Sequence, residues 1–263
     1  MSRSAPAAAI LCLLSLSGIA APGETAGAEE ALHTNLKISL GYHYSTGTYG
    51  KAERTDIGYV PLTAKAEVDL WTFRLTVPYI RISGPAGVIE GPSGPIVTES
   101  GESDGLGDIV ASGAYTVLPL VSWMPFVDLV GTIKFPSADE NKGLGTGELD
   151  YTIETQLAQR IGRITPFATF GYRFVGAPPG TRLDDVWLAS IGASYEITPP
   201  LSAGIFLNYR EASSPSSRDQ LDVTPFAVWK LTAHWSTTGY VLAGILDGSP
   251  DAGVGLQVGY SWW

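Results

Sequence analysis

Asn35-Leu36-Lys37-Ile38-Ser39-Leu40-Gly41-Tyr42-His43-Tyr44-Ser45 decides the fold. Every second residue from Leu36 to Tyr44 is apolar or aromatic, and those between are polar or glycine. Strict alternation over this length is the period of a strand with one apolar face, and helical spacing fits it poorly. The pattern recurs along the chain. Val60, Leu62, Ala64, Ala66 and Val68 oppose Thr63, Lys65, Glu67 and Asp69, and Phe73, Leu75, Val77 and Tyr79 oppose Arg74 and Thr76. Ile109–Val117, Val127–Phe135, Leu149–Leu157, Ala168–Phe174, Trp187–Tyr195, Ala203–Tyr209, Leu221–Leu231 and Val254–Trp262 read the same way; Trp235–Leu246 is ambiguous in face. About twelve strands of roughly ten residues follow, the length of a tilted membrane-spanning strand.

The connections alternate in kind. Gly47–Asp56, Ser83–Leu106, Pro136–Gly147, Gly176–Leu183, Glu211–Asp219 and Asp247–Ala252 are long or polar, and tighter links near Leu70–Thr72, Leu118–Met124, Gln159–Arg163, Ile197–Pro200 and Leu231–His234 lie between them. Long outer loops and short periplasmic turns are the habit of bacterial outer-membrane barrels. With strand directions set that way, Tyr42, Tyr44, Tyr79, Phe135, Tyr151, Phe174, Trp187 and Tyr209 fall near the outer strand ends. Phe73, Tyr115, Tyr195, Trp229, Tyr260 and Trp262 fall near the inner ends, giving two interfacial girdles. The fold expected is therefore all-β, a transmembrane antiparallel up-and-down β-barrel of about 12 strands. A secreted β-sandwich is the rival, and it would need the apolar face to be a core.

Composition agrees. Charged residues make up 16% of the 263 residues, against about 25% in soluble domains. A net charge of −10 argues against nucleic acid as a partner. Met1-Ser2-Arg3, an apolar run from Ala5 to Ala21 and the small-x-small site Ala26-Gly27-Ala28 read as a secretory signal peptide over residues 1–28. The barrel then occupies residues 29–263, with Ala20 the second cleavage candidate. Cys12 lies within the signal, so a mature chain without a thiol has no disulfide, cysteine metal site or cysteine nucleophile.

The polar face would line the lumen. Lys65, Glu67, Arg74, Asp108, Asp128, Lys134, Asp150, Glu154, Arg173 and Arg210 are the candidate solute or ion path, and Lys37, Lys230, Asp69, Glu196 and Asp222 share that face. Basic and acidic groups nearly balance, so the acidic excess is assigned to loops, at Glu90, Glu99, Glu102, Asp104, Asp139 and Glu140. Two readings stay open: a narrow wet pore whose opposed charges set a modest selectivity, and a salt-bridged interior that passes little. In the pore reading, neutralising Lys134 with Asp150 changes the ion selectivity. His33, His43 and His234 have no partner at metal-ligand spacing, and Gly143–Gly147 lacks the lysine and strand–helix setting of a phosphate loop. No cofactor, metal or catalytic residue is expected.

Gly105-Leu106-Gly107-Asp108, Lys134-Phe135-Pro136-Ser137-Ala138-Asp139 and Leu144-Gly145-Thr146-Gly147 resemble motifs of a bacterial family. It is the outer-membrane transporter family named for the meta-cleavage pathway of phenol degradation. Tyr49-Gly50 and Val60-Pro61-Leu62 are similar too, and the strand layout extends the likeness to the end of the chain. The resemblance implies an outer-membrane barrel that passes small, often aromatic, molecules, and it supplies no catalytic residues. Tyr260-Ser261-Trp262-Trp263 is similar to the C-terminal strand read by the barrel-assembly machinery. The expected partners are outer-membrane lipid, that machinery and a small-molecule solute. The function expected is passive passage of small organic solutes across the bacterial outer membrane. The alternative is a non-conducting barrel with a structural, adhesive or lipid-modifying role, in which the acidic Ser83–Leu106 loop acts outside the cell.

Overall fold

The computed structural model of the protein describes residues 34–98, 100–121 and 123–262; the expected signal peptide lies outside them. Fifteen strands run in chain order: β1 (Thr34–Gly47), β2 (Thr55–Val68), β3 (Trp71–Gly84), β4 (Gly87–Gly91), β5 (Gly94–Thr98), β6 (Gly101–Leu106), β7 (Ile109–Val117) and β8 (Phe126–Phe135), then β9 (Asp150–Ala158), β10 (Ile164–Phe174), β11 (Val186–Thr198), β12 (Leu201–Arg210), β13 (Gln220–Lys230), β14 (Trp235–Gly244) and β15 (Ala252–Ser261). Each main strand pairs antiparallel with its neighbours in sequence, β15 returns to β1, and β2 with β3 completes the ring. A closed ring leaves no unpaired edge, which is what a bilayer demands of a sheet.

β6 and β7 share one position in the ring. β6 pairs with the far half of β3 and β7 with the near half, so thirteen segments make twelve staves. Tyr79 lies opposite Leu106 and Thr76 opposite Val110, so three steps on β3 face four on its partner. The extra residue is a β-bulge at Gly107–Asp108, within the Gly-Leu-Gly-Asp motif. It shifts the phase of the strand, so that Leu106 faces outward and Asp108, two residues on, is buried inside.

The alternation read from the sequence holds around the ring. On β1, Leu36, Ile38, Leu40 and Tyr42 are exposed outside, while Ser39, His43 and Ser45 are buried inside. Leu62, Leu75, Leu129, Ile153, Ile191, Ile205 and Leu256 extend the exposed apolar belt. Such a surface is unstable in water, at about 25 cal/mol per Å² of apolar area, and stable against lipid. The inner girdle is built of ring pairs: Trp71 lies 4.9 Å from Tyr115, and Tyr260 packs between Trp235 and Trp262. At the other rim Trp187 packs on Phe170 and Tyr172. β14, whose face the sequence left open, turns Tyr240 inward and Trp235 and Val241 outward.

Tyr240 fits because β15 offers a glycine to it. A Cβ on Gly255 would stand 2.0–2.3 Å from the phenol ring, and the ring is held by His43, whose Nδ1 lies 2.8 Å from its hydroxyl. Gly255→Ala must therefore break the His43–Tyr240 contact or bend the wall. We expect a loss of about 1–3 kcal/mol, the usual cost of overpacking, read by denaturant unfolding in detergent micelles. A variant of unchanged stability would show that the tyrosine moves freely.

Candidate functional site in the barrel lumen

The two barrel ends differ, one carrying the long loops and the other the tight turns, and the inward charges sort by depth between them. Near the loop end Lys134 is buried between two carboxylates, 3.2 Å from Asp108 and 3.0 Å from Asp150. Both acids also hold backbone: Asp108 accepts from the Ala138 amide and Asp150 from that of Gly176. Lys134 further donates to Thr146 at 3.1 Å. The Lys-Phe-Pro and Leu-Gly-Thr-Gly motifs thus meet in three dimensions at one buried ion triad. Arg173 faces Asp150, Arg210 and Glu90 at the same depth.

Near the turn end Lys65 pairs with Glu67 at 2.5 Å, and Asn35 donates to the other Glu67 oxygen at 3.0 Å. Arg74 lies within electrostatic reach of Glu67 and Glu154, and Asp128 accepts from Thr116 at 2.6 Å. All ten residues singled out in the sequence face the interior. They form two groups at different depths, the loop-end group packed tight and the turn-end group partly open.

Strand register places these charges on rows that climb around the wall. Lys37 is directly opposite Lys65, Lys65 opposite Arg74, and the row continues through Ser112, Thr132 and Thr152 to Arg173. A separate row runs from Asp128 through Gln156, Thr169, Ser190 and Asn208 to Asp222. Cations end the first and carboxylates the second.

The Ser83–Leu106 connection does not stand outside the barrel as the sequence suggested. Its centre is a two-stranded hairpin, β4 paired with β5, folded into the lumen at the loop end. Ile89 and Ile96 pack in one apolar cluster with Ile57 and Tyr59 of β2, Ile80 and Ile82 of β3, and the loop residues Tyr49 and Leu144. On the far side Glu90 accepts from the backbone amide and the hydroxyl of Ser213, and Arg210 donates to the Gly91 carbonyl at 2.9 Å. Tyr59 and Ser93 share a hydroxyl contact of 3.1 Å. Gly94 lies against Asp150 and Arg173; its φ of +139° strains any other residue, and a Cβ there would stand only 3.0 Å from the carboxylate. The hairpin therefore spans the lumen from β2 and β3 to β9, β10 and β12. Beside it a cavity of about 70 Å³, lined by His43, Tyr49, Arg210 and Asp222, has room for a few waters and is small for an organic solute. Burial pushes the Tyr49 phenol up, so this loop residue stays neutral and donates or accepts only within the protein.

Several sequence assignments change with this. Glu90 is not a solvated loop acid: it is 4% exposed and anchors the hairpin tip. Asp69 is not a lumen residue; it occupies the β2–β3 turn with φ +53°. Glu196 belongs to the turn-end rim, where Arg160 pairs with it at 2.8 Å. Of the other loop acids, Asp104 accepts from the outward Tyr79 hydroxyl and Asp139 caps the short turn Glu140–Lys142. The sequence reading also missed apolar residues on the inward parity. Phe167, Phe206 and Phe226 form a cluster with ring centres 5.9–6.5 Å apart. Their signal was available, since each stands in step with the polar residues of its strand. His234 donates to the Ser261 carbonyl and His43 shares a hydrogen bond with the Tyr240 hydroxyl, so neither addresses a serine nucleophile.

A closed ring, apolar toward its surroundings and polar within, defines the outer-membrane type of β-barrel. Known structures agree on that class. Neither a family model nor a curated protein matches the chain. The crystal structure of the COG4313 outer membrane channel from Pseudomonas putida F1 superimposes with a TM-score of 0.69 at 13% identity, covering 92% of this chain and 99% of that one. The translocator domain of the autotransporter NalP from Neisseria meningitidis gives 0.52 at 10% identity, covering 88% of each chain. The KdgM porin gives 0.51 at 10% identity, covering 86% of this chain and 99% of that one. At these identities the likeness is one of fold, and the fold serves both porins and a translocator.

Proposed function

We propose that the protein is an outer-membrane channel for small organic solutes, closed at rest by its own β4–β5 hairpin. The loop end then faces the cell exterior and the turn end the periplasm. The observation that carries this reading is the way the lumen is filled. In a small barrel the wall side chains fill the interior, whereas here the outer half is stoppered by a separate segment whose strands pair with each other and with no stave of the wall. The signal peptide at 1–28, assembly through the C-terminal aromatic strand, and membership of the transporter family named for phenol degradation belong to the same proposal. The buried Asp108–Lys134–Asp150 triad, two of whose members, Asp108 and Lys134, lie in the motifs resembling that family's, supports the last of these.

One observation favours the alternative of a non-conducting barrel: the 70 Å³ beside the hairpin is small for an organic solute. Planar-bilayer recording of the refolded protein separates the two. A channel gives discrete current steps as the hairpin moves, with different amplitudes in chloride and benzoate salts. A folded barrel that stays silent at all voltages would leave the non-conducting reading standing.

A further inference from the structure

Among the described residues the cation row on β1–β3 sets like charges side by side across three strands. Lys37, Lys65 and Arg74 are direct cross-strand neighbours. Like charges so placed destabilise a sheet, and alternating signs are the stabilising pattern. Lys230 adds a fourth cation within electrostatic reach of Lys37. Carboxylates of neighbouring positions offset them in part: Glu67 pairs with Lys65, accepts from Asn35 and lies within reach of Arg74, Glu154 also reaches Arg74, and Asp128 accepts from Thr116. Above Arg74 the row continues in hydroxyls, and Thr132 carries a buried Oγ1 without a hydrogen-bond partner. The wall opposite is of another kind. β11 stands six strands from β2 in either direction around the ring, and its flanking strands β10 and β12 bear Phe167 and Phe206, with Phe226 on β13.

We propose that the Lys37–Lys65–Arg74 row is a binding site for a small organic carboxylate on its way through the barrel. The inference rests on the channel reading and specifies its solute. A carboxylate fits because the row sets two ammonium groups and a guanidinium, groups that bind carboxylates through charge-assisted hydrogen bonds, side by side on one wall. An organic anion fits better than a hydrated inorganic one, since the remainder of the ligand faces the phenylalanine side of the lumen. Thr132 and then Arg173 offer the next donors along the row toward the loop end.

The test uses the full mature chain and benzoate. Fluorine NMR of fluorobenzoate measures binding without requiring any current, and the chloride-to-potassium permeability ratio in bilayers measures selectivity. A unit charge about 6 Å from an ion in water changes its partition about threefold. Lys65→Gln with Arg74→Gln is therefore expected to weaken fluorobenzoate binding and to lower the permeability ratio, each by roughly an order of magnitude. Lys65→Arg with Arg74→Lys keeps the charges and should retain both. If the neutral pair does not fold, Lys65→Gln alone should still lose about threefold. Absence of saturable binding in the wild type, or equal binding in the neutral variant, overturns the site. Current without binding does so while leaving the channel intact; binding without current keeps the site and removes the channel.

Discussion

Replacing residues 87–98 with a short glycine linker is expected to raise single-channel conductance several-fold while leaving a folded, heat-modifiable barrel. The reason is geometric. The ring itself owes nothing to the hairpin, because β4 and β5 pair only with each other and the twelve staves close without them. What the hairpin supplies is the filling: Ile89 and Ile96 occupy the space between β2, β3 and the loop residues Tyr49 and Leu144, and Glu90 fastens the tip to Ser213. Without it the outer half of a twelve-stranded barrel retains only its wall side chains, and barrel width grows with strand number beyond what eight strands can fill. Unchanged conductance in a folded deletion variant would place the barrier elsewhere, at the phenylalanine cluster or the turn-end charges.

The largest stability effect is expected at Lys134. Its ammonium is 3% exposed between Asp108 and Asp150, themselves 5% and 1% exposed. Lys134→Met leaves two buried carboxylates facing each other, and breaking a buried ion pair from one side costs about 3–5 kcal/mol. The effect should appear as a large fall in the denaturant midpoint and as loss of order in the loop that begins at Pro136. Adding Asp108→Asn and Asp150→Asn to Lys134→Met should recover much of the loss, because the backbone amides of Ala138 and Gly176 can still donate to the new amide oxygens. A single Lys134→Met variant of normal stability would mean that water or Arg173 reaches the acids. The triad also bears on the Lys134–Asp150 variant as a probe of selectivity: a group this enclosed holds the wall in shape, and on the proposed gating ions would meet it only with the hairpin out.

The barrel was legible in the sequence because its periodicity is a property of each strand alone. Leu36 to Tyr44, or Val60 to Val68, announce an apolar face without reference to any neighbour, and the alternation of loop lengths follows from where the turns lie. The facing of β14 was not legible, since Tyr240 and Leu242 are apolar residues on the inward parity and Thr237 a polar one on the outward. The hairpin was hidden for a related reason. Glu99, Glu102 and Asp104 made the Ser83–Leu106 stretch look like a solvated acidic loop, yet its centre reads Val88-Ile89-Glu90-Gly91-Pro92-Ser93-Gly94-Pro95-Ile96-Val97, two apolar pairs around a Gly-Pro turn. Its destination is set by Ile57, Tyr59, Ile80 and Ile82, four inward residues on two other strands whose apolarity has meaning only once the strands are adjacent. The lumen residues themselves were identifiable by parity. Their grouping into one row of cations and another ended by carboxylates depends on register, which no single strand carries.

That the hairpin keeps its own ladder has a thermal consequence. If it leaves the lumen with β4 and β5 still paired, its ladder stays intact, only the Gly91 carbonyl and the Ser213 amide among these backbone groups exchange their partners for water, and the free energy of opening is dominated by the side chains that are wetted. Those are mainly Ile89, Ile96 and the apolar residues around them, so opening carries a positive heat capacity. A seal of that kind is tightest at an intermediate temperature and loosens toward both extremes. Cold, as well as heat, would make this barrel leak.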